Sequence, residues 1–453
     1  MSKKEMVKQA INLVDNWIDF QTYIKEIPGV AVGIFIDDEI VFKKEYGYAN
    51  LERKEKLNDQ HLFRIASHSK LFTATAIMKL YHEEKLSIDD KVSKHLPWFT
   101  SDKDENLQNI RIRHLLSHSS GMTRDGITGH WSNFEFPLIN EIKKQVKEGI
   151  SFFKTSEILK YSNFGYTILG QIIETVSGVS YSDYIQKEIL DVLGMKNTII
   201  DVDENNKSRH ATGYKIKYPG KEREAFEHIP ARVMQSATGL SSTVEDLIKF
   251  YQAHIFGNNT FFPDHIKREM QRIQFKAEKA DWGLGFSITT FPDIKIVGHG
   301  GGYPGFITRS GLIQDDKMIV IVLTNAVDGP ALTLFLGIIK LLAQIEKDKD
   351  KFMQKPDEII PDYKSIIGFY ISDWGMSLFD QIGTKLVSIG PDDDNPVEFL
   401  QIYNHEKDSR FIAPKDLPFA SPGQPIEFDD GSDGQKIFID SHKGKAKRYY
   451  LNY

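Results

Sequence analysis

The chain has 453 residues, 40% hydrophobic and 26% charged, with a formal net charge of −6. The mildly acidic balance argues against a nucleic-acid backbone or an acidic membrane surface as partner. The length predicts a catalytic-sized body plus at least one appendage. The absence of cysteine excludes disulfides, thiolate metal sites and cysteine nucleophiles.

The first ten residues carry no apolar signal core, and the longest apolar stretch, residues 331–345, is broken by Lys340 and too short to span a bilayer. A cytoplasmic protein without membrane insertion is the expectation, with export of a trimmed precursor left open. Residues 5–24 place Val7, Ile11, Val14, Trp17, Ile18 and Tyr23 at mostly helical spacing, and Pro28-Gly29 ends that helix. Residues 30–36 read as a strand, Asp37-Asp38-Glu39 as a turn and residues 40–42 as a second strand, together a β-hairpin on the edge of a sheet. Gly47-Tyr48-Ala49-Asn50 reads as loop. Phe63-Arg64-Ile65-Ala66-Ser67-His68-Ser69-Lys70-Leu71 is an apolar approach that opens a helix through Phe72, Ala74, Ala76, Ile77 and Leu80.

Residues 110–116 predict a short helix, and His118-Ser119-Ser120-Gly121 a turn. Residues 122–156 are mixed and rich in aromatics, as a segment overlying a pocket would be. Tyr161-Ser162-Asn163-Phe164-Gly165 leads into a helix at 166–176, and residues 184–193 continue helical to Gly194. Ser242 or Thr243 caps a helix at 244–255. Strand-like runs follow at 283–289, 295–298, 307–313 and 318–324, then a strongly apolar helix at 331–346. The pattern is an α/β (α+β) body: a sheet built from both chain ends, flanked by helices, with a mainly helical insertion. The expected division is 1–350 for this body, 351–361 for a charged, proline-containing linker and 362–453 for a small antiparallel β-domain, barrel-like. Its strands are expected at 369–370, 385–389, 397–403, 410–412, 426–428, 436–439 and 448–451, with a hairpin turn at Gly431-Ser432-Asp433-Gly434.

Ser67 and Lys70 are three residues apart, so on a helix they share a face at its N-terminus. An amine whose pKa is lowered by its surroundings can take the serine proton, and the free N–H groups of a helix start favour developing negative charge. Spacing alone does not single the pair out: Ser151 and Lys154 repeat it, and Tyr48/Asn50 and Tyr450/Asn452 repeat the Tyr161/Asn163 spacing. Ser67 has a good helix behind it and Ser151 does not. Tyr161 and Asn163 sit on a polar turn that can project into a cleft, where a phenol near a lysine is expected to lose its proton more easily. His299-Gly300-Gly301-Gly302 follows the strand-like residues 294–297, and glycines there let backbone approach a ligand and donate an N–H to an oxyanion. His114, His118 and His130 form no zinc pattern and read as loop or core histidines. Gly300-Gly301-Gly302 lacks the lysine of a phosphate loop.

Taken in chain order, Ser67-His68-Ser69-Lys70, Tyr161-Ser162-Asn163 and His299-Gly300-Gly301 resemble the three motifs of the penicillin-recognising serine hydrolases. The branch resembled holds class C β-lactamases, DD-peptidases, D-aminopeptidases and related esterases, the CubicO-like or S12 group. Pro28-Gly29-Val30-Ala31-Val32-Gly33, Leu115-Leu116-Ser117-His118-Ser119-Ser120-Gly121 and Ala237-Thr238-Gly239-Leu240-Ser241-Ser242-Thr243-Val244-Glu245-Asp246 extend the resemblance over about residues 5–345. It implies that Ser67 is an acylated nucleophile, Lys70 its base or base partner, and Tyr161 a general acid/base. It implies a substrate-amide contact at Asn163, an oxyanion hole of the Ser67 and Gly302 N–H groups, and substrate binding by His299, Gly300 and Gly301. His299 stands where many relatives carry a lysine that helps bind a substrate carboxylate, which resembles D-aminopeptidase-like members and argues against efficient β-lactam hydrolysis. The implied activity is a peptidase or amidase on small peptides or D-amino-acid amides, with a carboxylesterase as the close alternative and a non-catalytic ligand-sensing or scaffolding protein as the remote one. No metal or organic cofactor is implied. The C-terminal domain resembles small barrels that gate the cleft or support homo-oligomers.

Overall fold

The computed structural model describes residues 2–278, 280–291, 293–353, 363–413, 415, 422–432, 434–440 and 442–451. The chain forms two compact units, one of Pro28–Ala331 and one of Met1–Ile27 with Leu332–Tyr453.

The Pro28–Ala331 unit is built on an eight-stranded antiparallel sheet. Its first strands are β1 (Gly29–Ile36), β2 (Glu39–Asn50) and β3 (Glu55–Lys56). A separate two-stranded ladder pairs β4 (Phe63–Arg64) with β5 (Ser241–Ser242). The sheet resumes with β6 (Asp281–Trp282), β7 (Ser287–Phe291), β8 (Ile294–Tyr303), β9 (Phe306–Ile313) and β10 (Met318–Thr324), in the order β3-β2-β1-β10-β9-β8-β7-β6. Pairing of β1 with β10 joins the early and late parts of the chain, Val30 opposite Thr324 through Ile36 opposite Met318. The expected hairpin is present, but only β3 lies outside it, and β1 is interior with every residue buried.

β2 runs on through Gly47-Tyr48-Ala49-Asn50, where a loop was expected. Lys43, Lys44 and Glu45 break the apolar alternation because β2 lies near the sheet edge, where charged side chains stay partly in water. β8 likewise continues through all three glycines to Tyr303 instead of ending at Gly298, because β9 pairs with it along its whole length. The helix Val244–Gln252, capped by the Thr243 hydroxyl, packs across β1: a Cβ on Gly33 would lie 2.2 Å from Val244 Cγ1. One contiguous core runs from the sheet into the buried helices Ser69–His82 and Asn163–Ser177.

In the other unit, a capping box between Ser2 and Glu5 starts the helix Lys3–Ile24. Trp17 of that helix fits against Gly337 of the helix Ala331–Lys347, where a Cβ would lie 2.1 Å from the indole. Strands β11 (Gly368–Ser372), β12 (Gly375–Ile382), β13 (Lys385–Ile389), β14 (Gln401–Lys407), β15 (Arg410–Ile412), β16 (Pro425–Asp430), β17 (Lys436–Ile439) and β18 (Lys445–Tyr449) close into a barrel. β12 has no counterpart among the expected strands, because its middle carries Ser377, Asp380 and Gln381 among its apolar residues. Most of the expected linker, residues 354–361, lies outside the described residues, as does Asp433 of the expected hairpin turn. Among the described residues no helix is long and apolar enough to cross a membrane.

Asp380 is 1% exposed, and burial raises its pKa from 3.8 to about 6. Its carboxyl accepts from Asn16 Nδ2 at 3.4 Å and Gln381 N at 2.7 Å. A carboxyl with a raised folded pKa holds its proton in the folded state longer than in the unfolded one. Stability therefore falls as pH rises through the 3.8-to-6 window. Asp380→Asn is expected to stabilise the protein by up to about 3 kcal/mol above that window. The gain should vanish near pH 3.8, as read by urea midpoints at both ends; a pH-independent gain would contradict the assignment.

Candidate active site

Ser67 lies in a tight turn, Ala66–His68, that runs straight into the helix Ser69–His82. Ala66 has φ of +51°, a conformation that costs a non-glycine residue about 1 kcal/mol or more. The turn is held by the side chains between the two motif residues. Ser69 Oγ donates to Ala66 O at 2.7 Å and accepts from Leu240 N at 2.9 Å. His68 Nδ1 lies 2.9 Å from Ile65 O and Nε2 2.6 Å from Ser310 Oγ, which also meets the Tyr251 hydroxyl at 2.7 Å. Burial lowers the His68 pKa to about 3, so its imidazole is neutral and serves as a brace to β9.

Lys70 Nζ lies 3.1 Å from Ser67 Oγ and donates to Ala237 O at 2.7 Å. The side chain is fully buried, with its nitrogen 4.8 Å from the Tyr161 ring centre and 5.6 Å from that of Tyr166. Burial pushes its pKa well below the ordinary lysine value; Asp125 opposes that shift and Arg124 adds to it. An amine whose pKa is lowered beside a serine hydroxyl is the arrangement that proton abstraction from the serine requires. Burial drives the Tyr161 pKa upward, against the opposing pull of the Ser67 hydroxyl and the nearby Arg124. This corrects the expectation that the phenol loses its proton easily: desolvation of the phenolate outweighs the groups that favour it, and Tyr161 stays the phenol.

Ser162 caps the helix Asn163–Ser177, its hydroxyl accepting from Gly165 N at 2.8 Å and donating to Thr123 O at 2.6 Å. The side chain of Asn163 is thereby turned to the cleft, where Nδ2 donates to Asp125 Oδ1 at 2.6 Å. Asn163 Oδ1 is buried and has no partner among the described residues. His299 is 4% exposed, with Nδ1 2.6 Å from Gly300 O and Nε2 unpartnered among the described residues. Burial, with help from Lys70 and His68, lowers its pKa well below the ordinary histidine value. A neutral His299 whose Nδ1–H donates to Gly300 O presents a lone pair on Nε2, not the cation that a lysine would supply.

The glycines of β8 close the other wall. Gly301 passes so near the Ala66–His68 turn that a Cβ there would lie 2.3 Å from Ile65 O and 2.4 Å from Thr308 Oγ1. Tyr303 and Phe306 close a two-residue hairpin, so odd residues of β8 direct their amides to β9 and even ones away from it. Pairing of β8 with β7 stops at Gly298 opposite Ser287. Among the described residues no strand therefore covers the amides of Gly300 and Gly302, and both residues line the cleft.

The cleft has a volume of about 670 Å³ and is lined by Ser67, Arg124, Asp125, Trp131, Tyr161, Asn163, Ala280, Trp282, Ser287, Thr289, His299, Gly300, Gly301, Gly302 and Arg309. The structure brings together every residue singled out from sequence, and Ser151/Lys154 is not among them. Sequence reasoning missed Arg124, Asp125, Trp131, Trp282 and Arg309, and the Ala237 carbonyl that receives Lys70. The one signal for some of them was the aromatic segment 122–156, which holds Arg124, Asp125 and Trp131. Arg124 Nε pairs with Asp125 Oδ2 at 3.2 Å. Among the described residues no cluster of His, Asp and Glu is placed to hold a metal ion.

The chain is similar to Penicillin-binding protein 4* of Bacillus subtilis (strain 168), 30% identical over 308 residues, 63% of this chain and 66% of that protein. It is also similar to Protein flp of Staphylococcus aureus (strain MRSA252), 32% identical over 205 residues, 45% of this chain and 41% of that one. The match thus spans less than two thirds of either relative's length. Among solved structures, the octameric penicillin-binding protein homologue from Pyrococcus abyssi superimposes with a TM-score of 0.66 at 24% identity, covering 97% of this chain and all of that one (100%). D-amino acid amidase from Ochrobactrum anthropi SV3, complexed with L-phenylalanine, gives 0.66 at 21% identity over 75% of this chain and 99% of that one. At these identities the two structures establish the fold. The profile of the family described as Beta-lactamase matches residues 14–341, and with the motif residues gathered in one cleft the chain belongs to that family.

Proposed function

We propose that the protein is a serine hydrolase working through an acyl-enzyme on Ser67, and that its substrates are small peptides or D-amino-acid amides. The observation that carries this reading is Lys70 Nζ 3.1 Å from Ser67 Oγ, in a buried setting that lowers the pKa of the amine. Ser67 Oγ attacks the acyl carbon and its proton passes to Lys70. The carbonyl electrons move to an oxygen held by the N–H groups of Ser67 and Gly302. Collapse breaks the C–N bond, Tyr161 protonates the leaving amine, and Lys70 returns the proton to Tyr161. Water then adds to the acyl carbon, the same groups carry its proton, and cleavage of the Ser67 ester releases the acid.

The preference for an amino-amide rests on the cleft wall. Asp125, Asn163 Oδ1 and His299 Nε2 are all acceptors, which suits a protonated amine beside the scissile carbonyl. The activity in the name of the Ochrobactrum relative agrees with that choice. A fluorophosphonate probe followed by peptide mass spectrometry should place one adduct on Ser67 and none in Ser67→Ala; equal labelling of the variant would sink the reading. Comparing kcat/KM on D-amino-acid amides, their N-acetyl forms and short-chain p-nitrophenyl esters tests the substrate class. Acetylation is expected to abolish turnover, and turnover of the acetylated forms equal to that of the free amines would reject the amine-binding wall.

A further inference from the structure

Tyr161 lies in an irregular stretch before the helix Asn163–Ser177, with no sheet ladder to hold it. The two amides on either side of it end on one residue. Lys160 N donates to His118 O at 2.8 Å, and Ser162 N donates to His118 Nδ1 at 3.1 Å. The His118 ring also lies against the Tyr161 ring, centroids 4.2 Å apart and planes at 32°. Trp282 meets the same imidazole edge-on at 4.7 Å, and Tyr166 lies at 5.1 Å. His118 is 0% exposed and adopts φ of +56°, the conformation in which its carbonyl and its ring nitrogen both face residues 160–162.

We propose that His118 is a positioning residue for Tyr161, a two-point clamp that sets the height and rotation of the phenol over Ser67. The proposal rests on the acyl-enzyme reading above. Because Nδ1 accepts an amide proton, the ring proton is on Nε2, which has no hydrogen-bond partner among the described residues. His118 therefore takes no proton during turnover; it acts through Tyr161. Its neutrality is a condition of the clamp, since a protonated imidazole cannot accept from Ser162. Burial enforces that neutrality, and the nearby Lys70 and Arg124 act in the same direction. The positive φ narrows what can replace it. Asparagine tolerates that conformation and places Oδ1 near the position of Nδ1, whereas glycine tolerates it and offers no acceptor.

The comparison of His118→Asn with His118→Gly therefore isolates the acceptor from backbone strain and from the lost ring. His118→Asn is expected to retain kcat within about fivefold, and His118→Gly to lose about 100-fold in kcat with KM little changed, the scale of a displaced catalytic group. Equal activity in His118→Gly and wild type, or equal impairment in both variants, overturns the clamp. Wild-type protein with ¹⁵N-labelled histidine provides a readout independent of variant folding. The NMR spectrum should show His118 as the Nε2–H tautomer with Nδ1 hydrogen-bonded, and an Nδ1–H tautomer overturns the proposal. Failure of the fluorophosphonate to mark Ser67 in wild type would instead remove the acyl-enzyme reading and leave the tautomer result standing, so the two failures are distinguishable.

Discussion

Replacing Lys70 with methionine is expected to lower kcat/KM by about four orders of magnitude. Methionine fills a similar volume between the Tyr161 and Tyr166 rings, so the loss reports the amine and not a collapsed core. The wild-type rate depends on the uncharged form. kcat/KM should therefore fall as pH falls through the depressed folded pKa of Lys70, and the residual rate of the variant should lack that limb. Stability carries the same signature with a definite sign. In the unfolded chain the lysine titrates near 10.4, while burial lowers it in the folded state. Between the two values the unfolded chain binds one more proton, so wild-type stability rises with pH across that window. Below the folded pKa the cost of burying the amine is at its greatest. Lys70→Met removes this slope: its stability relative to wild type should be most favourable at low pH and decline toward pH 10.4. Denaturation midpoints that move in parallel for the two proteins would mean that Lys70 is not neutral in the fold.

Gly301→Ala is expected to cost 100-fold or more in kcat and roughly 1–3 kcal/mol in stability. A methyl group there would sit 2.3 Å from Ile65 O, 2.4 Å from Thr308 Oγ1 and 3.1 Å from Ala66 Cβ. The clash is with the backbone that leads into Ser67, so relief must push Ser67 away from β8 and from the amide of Gly302. The adjacent glycine provides the control. A Cβ on Gly302 would meet only Ile307 Cδ1 at 3.5 Å, an ordinary contact, and Gly302 lacks a positive φ. Gly302→Ala is therefore expected to keep its stability within about 0.5 kcal/mol. Steady-state kinetics and thermal melts on the two variants decide the matter. Equal effects at 301 and 302 would show that the glycine run is needed for something other than close approach to Ile65.

Both expectations depend on contacts that join parts of the chain far apart in sequence, and this is where sequence reading and structure divide. Elements with strong local periodicity were legible: β10, β13, β15 and β17 lie where the pattern put them, as do the helices beginning near Ser69 and Val244. Elements whose pattern is set by their surroundings were not. β2 was cut short because its middle is charged at a sheet edge, β8 because glycine reads as a break, and β12 because it carries polar residues among its apolar ones.

That Ser67 and Lys70 share a helix start could be read from their spacing of three, a local fact of helical geometry. The ordered motifs also named Tyr161, Asn163 and His299 as their company. Protonation became legible only in the folded chain, because pKa depends on burial and neighbours that no spacing encodes. Burial lowers the pKa values of Lys70 and His299, and Tyr161, expected to yield its proton readily, is held as the phenol. Only the structure, too, assigned Asp125 to the cleft, turned Asn163 Oδ1 and His299 Nε2 into free acceptors, and showed His118 holding both flanks of Tyr161. A side chain's role here follows from which of its atoms are already taken, and that is settled by residues far off in the chain, such as Asp125, 38 positions from Asn163, and Ser310, 242 positions from His68.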